Sequence, residues 1–98
     1  MNDLIANTIE WARLKGILDN GTRQGQAWKT MEEANELLKA VLEDNRAEII
    51  DAIGDVMVTV IIQAQMNGLK VEDCLRSAYD VISKRTGRME GGVFVKDS

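Results

Sequence analysis

Apolar residues recur at steps of three and four along most of the chain, a spacing that predicts four helices. Leu4, Ile5, Ile9, Ala12, Leu14 and Ile17 set the pattern of the first, which Asn2 or Asp3 can cap and which runs to about Leu18. Asp19, Asn20 and Gly21 end it. Thr22 or Gln24 opens a second helix to about Leu42, with Trp28, Met31, Ala34, Leu37, Leu38 and Val41 on its apolar side and its acids on the other. After Glu43, Asp44 and Asn45, a third helix is expected from about Arg46 to Met66, where Asn67 and Gly68 form a helix-ending signal. A fourth follows from about Val71 to Lys84, with Glu72 and Asp73 favourable at its start and Lys84 and Arg85 at its end. Beyond Gly87, the tail Met89 to Ser98 holds Gly91, Gly92 and the triplet Val93, Phe94, Val95, and is expected as an extended arm.

The three-residue connection makes the third helix an antiparallel neighbour of the second. No proline interrupts any helix. On the third helix Glu48, Asp51, Asp55 and Thr59 form a narrow polar stripe, while Ile49, Ile50, Ile53, Val56, Met57, Val60 and Ile61 fill nearly all the rest, the pattern of a helix buried on most sides. Four short helices cannot cover it alone. The expected fold is therefore an all-α, four-helix bundle-type subunit, one domain over residues 1–98 with an extended C-terminal arm, forming a homodimer or dimer of dimers. The competing expectation is a monomer whose first helix folds over that side.

Composition narrows the functions open to such a fold. The net charge of −4, with basic residues clustered only near the C-terminus, argues against nucleic acid as a partner. No histidine is present, which removes the usual general base and the usual transition-metal ligand. Cys74 is the only cysteine, so no intrachain disulfide forms. The first ten residues lack a secretory pattern, and the apolar run Val56 to Ala64 is shorter than the about 20 residues needed to span a bilayer. A cytoplasmic protein without a membrane partner is expected.

The acids carry the chemistry. Glu32, Glu33 and Glu36 form one cluster and Glu48, Asp51 and Asp55 another, each on one helical face with neighbours about 5 to 6 Å apart. At an effective dielectric near 20, like charges at that distance repel by about 3 kcal/mol. A cation between them relieves this, and hard oxygen ligands suit magnesium, with manganese as a possible substitute. Magnesium held by a few carboxylates and phosphates points to phosphoryl chemistry. Gln26 and Lys29, on the face of Glu33, are placed to reach a phosphate or a base. Trp11 and Trp28 are read as packing residues. Against the metal site stand a solvated charged face and a non-catalytic acidic helical dimer that regulates a partner. A carboxylate-bridged redox bundle is disfavoured, because such sites add histidine.

These residues resemble the MazG-like members of the all-α nucleoside triphosphate pyrophosphohydrolases. The likeness covers Gln26 to Lys96 and rests on Gln26-x-x-Lys29-x-x-x-Glu33-x-x-Glu36-Leu37, then Glu48-x-x-Asp51-x-x-Gly54-Asp55-Val56, then Lys84-Arg85-Thr86-Gly87-Arg88 with Gly92-Val93-Phe94-Val95-Lys96. It implies paired acidic motifs that bind magnesium, and in-line attack of water on the α-phosphorus of a nucleoside triphosphate, releasing monophosphate and pyrophosphate. Glu33, Glu36, Asp51 and Asp55 are the catalytic and metal-binding residues it implies, with Glu32 and Glu48 as outer metal ligands. Gln26, Lys29, Lys84, Arg85 and Arg88 are then substrate-binding, the last three holding the β- and γ-phosphates, in this subunit or in its neighbour. In one place the chain departs from the family pattern: a glutamate is usual three residues before the final aspartate, and here Ala52 stands there. Either Asp51 replaces it, or Glu48-x-x-Asp51 is itself the second motif.

Overall fold

The computed structural model describes residues 2–98. Helices α1 (Asn2–Leu14), α2 (Ile17–Asn20), α3 (Arg23–Leu42), α4 (Arg46–Met66) and α5 (Val71–Ile82) are followed by strands β1 (Gly87–Glu90) and β2 (Val93–Lys96). Asp3 lies inside α1, and the alternative cap, the Asn2 side chain, falls outside what is described.

Two elements differ from expectation. The first helix does not continue to Leu18: Gly16 takes a left-handed φ of 79°, its N–H donates to the Arg13 carbonyl at 3.1 Å, and the chain restarts as the single turn α2. Asn20 Nδ2 donates to the Gly16 carbonyl at 3.0 Å and ties that turn down. The tail is not an extended arm but an antiparallel hairpin pairing Gly87 with Lys96, Arg88 with Val95, Met89 with Phe94 and Glu90 with Val93. Gly91 and Gly92 make the reversal at φ 57° and 84°, the positive values that the tightest hairpin turns require at both central residues.

The helix pair α3 and α4 is the frame of the fold and its most extensive contact. Asp44 closes the turn at φ 51°. Asn45 caps α4 by accepting from the Glu48 N–H at 3.2 Å, and Thr22 caps α3 by accepting from the Gly25 N–H at 2.9 Å. Losing such a cap costs about 1 kcal/mol, so Asn45→Ala is expected to lower the melting temperature by about 4 to 8 °C in a calorimetric scan, with helix content little changed.

The buried apolar residues are Ile5, Ala12, Ala40, Ala52, Ile61, Ile62 and Ala64, joined by Gln26 and Thr59. Alanines on three helices let the backbones approach closely. The face of α3 turned inward carries Gln26, Glu33, Leu37 and Ala40, while Trp28, Met31, Leu38 and Val41 lie exposed. The acidic side of this helix thus faces α4, as expected of two acidic clusters that can face one another, while most of its apolar stripe, Leu37 apart, is left without a partner in the single chain. Helix α4 likewise exposes Ile50, Ile53, Met57 and Val60, so its expected burial on most sides is absent from the single chain. Helix α5 touches α4 but exposes Leu75 (70%) and Tyr79 (61%), and among the described residues the hairpin contacts no helix.

The consequence is a surface too large for the mass. The accessible area is 7694 Å² for 10.9 kDa, against about 5,600 Å² for a compact monomer of that size. The radius of gyration is 15.6 Å, against about 12.6 Å. By length and composition α4 as a whole, unlike the shorter run Val56 to Ala64, is sufficient to cross a bilayer. Its partner in the fold is nonetheless α3, which carries Arg23, Lys29, Glu32, Glu33, Glu36 and Lys39. Asp51 and Asp55 near the middle of α4 would each cost about 3 kcal/mol at the centre of a membrane-spanning helix.

Candidate active site

One side-chain bond sets the register of the acidic helices. Gln26 Nε2 donates to the Thr59 carbonyl at 3.0 Å, a buried link between α3 and α4. Because the helices are antiparallel, each step along α3 from Gln26 runs down α4 from Thr59. Lys29 therefore comes to the level of Val56, next to Asp55, Glu33 to that of Ala52, just under a turn from Asp55, and Glu36 to that of Ile49, between Glu48 and Asp51.

Where α1, α2, α3 and α4 meet, a cleft of about 240 Å³ is lined by Trp11, Ile17, Gln26, Lys29, Glu33, Asp55, Val58, Thr59 and Ile62. Both acidic helices contribute one carboxylate to it. The side chain of Glu33 is mostly covered, at 16% exposure, and Lys29 Nζ stands 3.3 Å from its Oε1 and 3.2 Å from Glu32 Oε1. The hydrogen bond to Glu32, and next the one to Glu33, raise the pKa of Lys29, so the cation at this cleft holds its proton more firmly than a free lysine. Glu36, Glu48, Asp51 and Asp55 have no ion-pair partner among the described residues.

Asp51 and Asp55 were expected in a largely dry interior, and in the single chain both are exposed. Along the polar stripe of α4 only Thr59 is buried. The expected ligand set of Glu32, Glu33, Glu36, Glu48, Asp51 and Asp55 is also not drawn together: among the described residues no three acidic, cysteine or histidine side chains approach closely enough to hold a metal between them. Glu33 and Asp55 do share the cleft. Two hard carboxylates fit magnesium, which is commonly bound through one or two carboxylates together with substrate phosphates and water.

Lys84, Arg85 and Arg88, expected to hold phosphates, do not line the cleft. The first two follow the end of α5, and Arg88 in β1 places its Nε 3.1 Å from Glu90 Oε1. What the sequence reading missed is Trp11. It sits in the apolar pattern of α1, where packing is the natural assumption, yet it is 48% exposed and walls the acidic cleft. Ile17 joins it because the break at Gly16 starts a new turn there. A larger groove of about 740 Å³ between α1, α4 and α5 is lined chiefly by Ile5, Met57, Val60, Ile61, Val71 and Leu75, and contains neither Glu33 nor Asp55.

The acid-bearing antiparallel helix pair lies inside a segment that matches an all-α nucleotide pyrophosphohydrolase family. Residues 15–80 match the family described as phosphoribosyl-ATP pyrophosphohydrolase, and the chain belongs to that family. The match takes in α2, α3, α4 and most of α5; it leaves out Trp11 and the hairpin. An uncharacterized 18.2 kDa protein in the rep-hol intergenic region of Haemophilus phage HP1 (strain HP1c1) is 36% identical over 67 residues, covering 68% of this chain and 41% of the relative. The chain thus spans about two-fifths of the length of that curated relative. No solved structure matches it.

Proposed function

We propose that the protein hydrolyses nucleoside triphosphates, including deoxynucleoside triphosphates, between the α- and β-phosphates to give a monophosphate and pyrophosphate, in the manner of the MazG-like enzymes. The supporting observation is the meeting of Glu33 and Asp55, one from each antiparallel helix, in a single cleft with Lys29 and Gln26, in a chain of pyrophosphohydrolase family. Magnesium, or manganese in its place, supplies charge neutralisation on the triphosphate and a lowered pKa for water when bound. Glu33 and Asp55 would hold it, with Glu36 and Asp51 one turn away along the helices, Glu32 beside Glu33 and Glu48 one turn beyond Asp51. Lys29, kept protonated by its two glutamates, presents a cation to a phosphate oxygen. Lys84, Arg85 and Arg88 serve the β- and γ-phosphates from a second copy, since they do not line the cleft of their own chain. The role that fits is housekeeping of the cytoplasmic nucleotide pool by a homo-oligomer.

Incubation with magnesium and a panel of ribo- and deoxyribonucleoside triphosphates, with phosphoribosyl-ATP added because the family carries its name, tests this. Pyrophosphate and monophosphate are expected for at least one member. Release of single phosphate, or no turnover of any, overturns the proposal and favours the non-catalytic helical module. Magnesium also stabilises the fold if it binds the native site alone: at a hundredfold excess over its dissociation constant the gain is about 2.7 kcal/mol. The melting temperature is therefore expected to rise by several degrees with magnesium and to fall back with a chelator.

A further inference from the structure

The cleft that holds Glu33 and Asp55 has a lining of two unlike kinds. Its ionic lining is both carboxylates and Lys29; its apolar lining is Trp11 from α1 with Ile17, Val58 and Ile62. At about 240 Å³ it lies below the about 300 Å³ at which pockets for whole small molecules begin, so it takes one part of a nucleotide and not all of it. Phosphates and their metal belong with the acids, which continue along α3 and α4 outside the cleft as Glu36 and Asp51. What remains for the apolar lining is the part of a nucleotide that is planar and aromatic.

The polar group nearest that need is Gln26. A carbonyl can only accept, so the amide nitrogen of Gln26 is committed to Thr59 and its orientation is fixed. What the amide has left to offer is its second N–H and the oxygen Oε1, an acceptor whose position that bond fixes. Every common nucleobase carries a ring N–H or an amino group able to donate to it. Trp11, meanwhile, is half exposed although indole is among the most favourable side chains to bury, and an exposed indole face beside a fixed acceptor is the arrangement that stacks and orients a base.

We infer that Trp11 is the base-stacking residue of this site and Gln26 Oε1 the acceptor that orients the base, so that α1, outside the segment matching the family, sets how tightly the nucleotide is held. This rests on the triphosphate hydrolysis proposed above. Stacking against an aromatic side chain contributes about 1 to 3 kcal/mol per base, which corresponds to about a 5- to 150-fold effect on affinity.

The chain has two tryptophans, so Trp28→Phe, on the exposed face of α3, leaves Trp11 as the only indole reporter. In that variant a nucleoside 5′-monophosphate is expected to quench Trp11 emission saturably, whereas ribose 5-phosphate, which lacks the base, is not. In steady-state kinetics Trp11→Leu is expected to raise KM for the triphosphate within the range above while kcat stays within about threefold, and Trp11→Phe to restore most of the loss. Normal turnover with an unchanged KM in Trp11→Leu, or nucleotide binding that leaves Trp11 emission untouched, overturns the inference and leaves the pyrophosphohydrolase proposal standing. Failure of the unmodified protein to hydrolyse any triphosphate overturns both. The emission titration needs no substitution at Trp11, so it decides the matter even if Trp11→Leu does not fold.

Discussion

Asp55→Asn is expected to reduce magnesium-dependent release of pyrophosphate by about a thousandfold or more, with helical circular dichroism preserved. Asp55 is the only carboxylate that α4 contributes to the cleft, facing Glu33 from α3. Asparagine keeps the shape and one oxygen but removes the negative charge, and the charge is what holds a hard divalent cation against water. Loss of a cation's stabilisation of the reacting phosphate is worth several kcal/mol, and about 4 kcal/mol is already a thousandfold in rate. The fold has little to lose by the change. Asp55 is exposed and forms no salt bridge among the described residues, so the substitution removes no packing and no partner. Glu36→Gln, one turn outside the cleft and likewise exposed, is expected to lower turnover with helix content preserved. The decisive comparison is activity against melting temperature: turnover lost at an unchanged melting temperature without magnesium supports a metal ligand. Undiminished turnover would remove Asp55 from the chemistry, and loss of folding would make it structural. In Asp55→Asn the gain in melting temperature on adding magnesium should disappear as well.

The positions of the acids were legible because helical periodicity is a local property: Glu33 to Glu36 and Asp51 to Asp55 are one turn apart on any helix, and the short turn at Asp44 forces the two helices to run antiparallel. That the acidic faces of the two helices meet was legible, but that the apolar stripe of α3 stays exposed in the single chain was not. Trp28, Met31 and Leu38 are the more apolar choice, and a single chain met alone should bury them. The observed choice instead buries Gln26 on the Thr59 carbonyl and half-buries Leu37 beside the mostly covered Glu33, a preference set by partners on α4 and not by α3 itself. The departure at Ala52 is also physical in origin. Ala52 is 5% exposed whereas Asp51 is exposed, and adjacent residues on a helix point about 100° apart, so Asp51 lies on the stripe of Glu48 and Asp55 and not on the side of Ala52. The hairpin was missed for a simpler reason. Gly91-Gly92 between two short runs is a two-residue reversal signal, and Val93-Phe94-Val95 alone was read without its partner strand.

Ile53→Lys is expected to weaken self-association of the chain by at least about thirtyfold, and with it to lower thermal stability, although Ile53 touches no part of the acidic cleft. In an isolated chain the substitution is nearly neutral. Ile53 is half exposed, and surface replacements of that kind stay within about 0.5 kcal/mol. The expectation of a large effect comes from area. The chain shows roughly 2,100 Å² more surface than a compact monomer of its mass, and two copies pooling that excess reach about 4,000 Å², within the range of obligate homodimers. Part of that exposed apolar surface forms two stripes: Trp28, Met31 and Leu38 line the outer side of α3, and Ile50, Ile53, Met57 and Val60 line that of α4 at steps of three and four. Two such helix pairs laid face to face make a four-helix bundle whose central layer would be these residues. A lysine at 53 then buries an ammonium without a partner, a change that commonly costs more than 2 kcal/mol at an interface centre. Sedimentation over a range of concentrations should show an oligomer for the unmodified chain and a shift towards monomer for Ile53→Lys. Because an obligate oligomer melts at a temperature that rises with protein concentration, the same series read by circular dichroism supplies a second measure. A chain that sediments as a monomer at every concentration, with Ile53→Lys as stable as its parent, would mean that these apolar stripes face water in solution and that no second copy brings Lys84, Arg85 and Arg88 to the cleft.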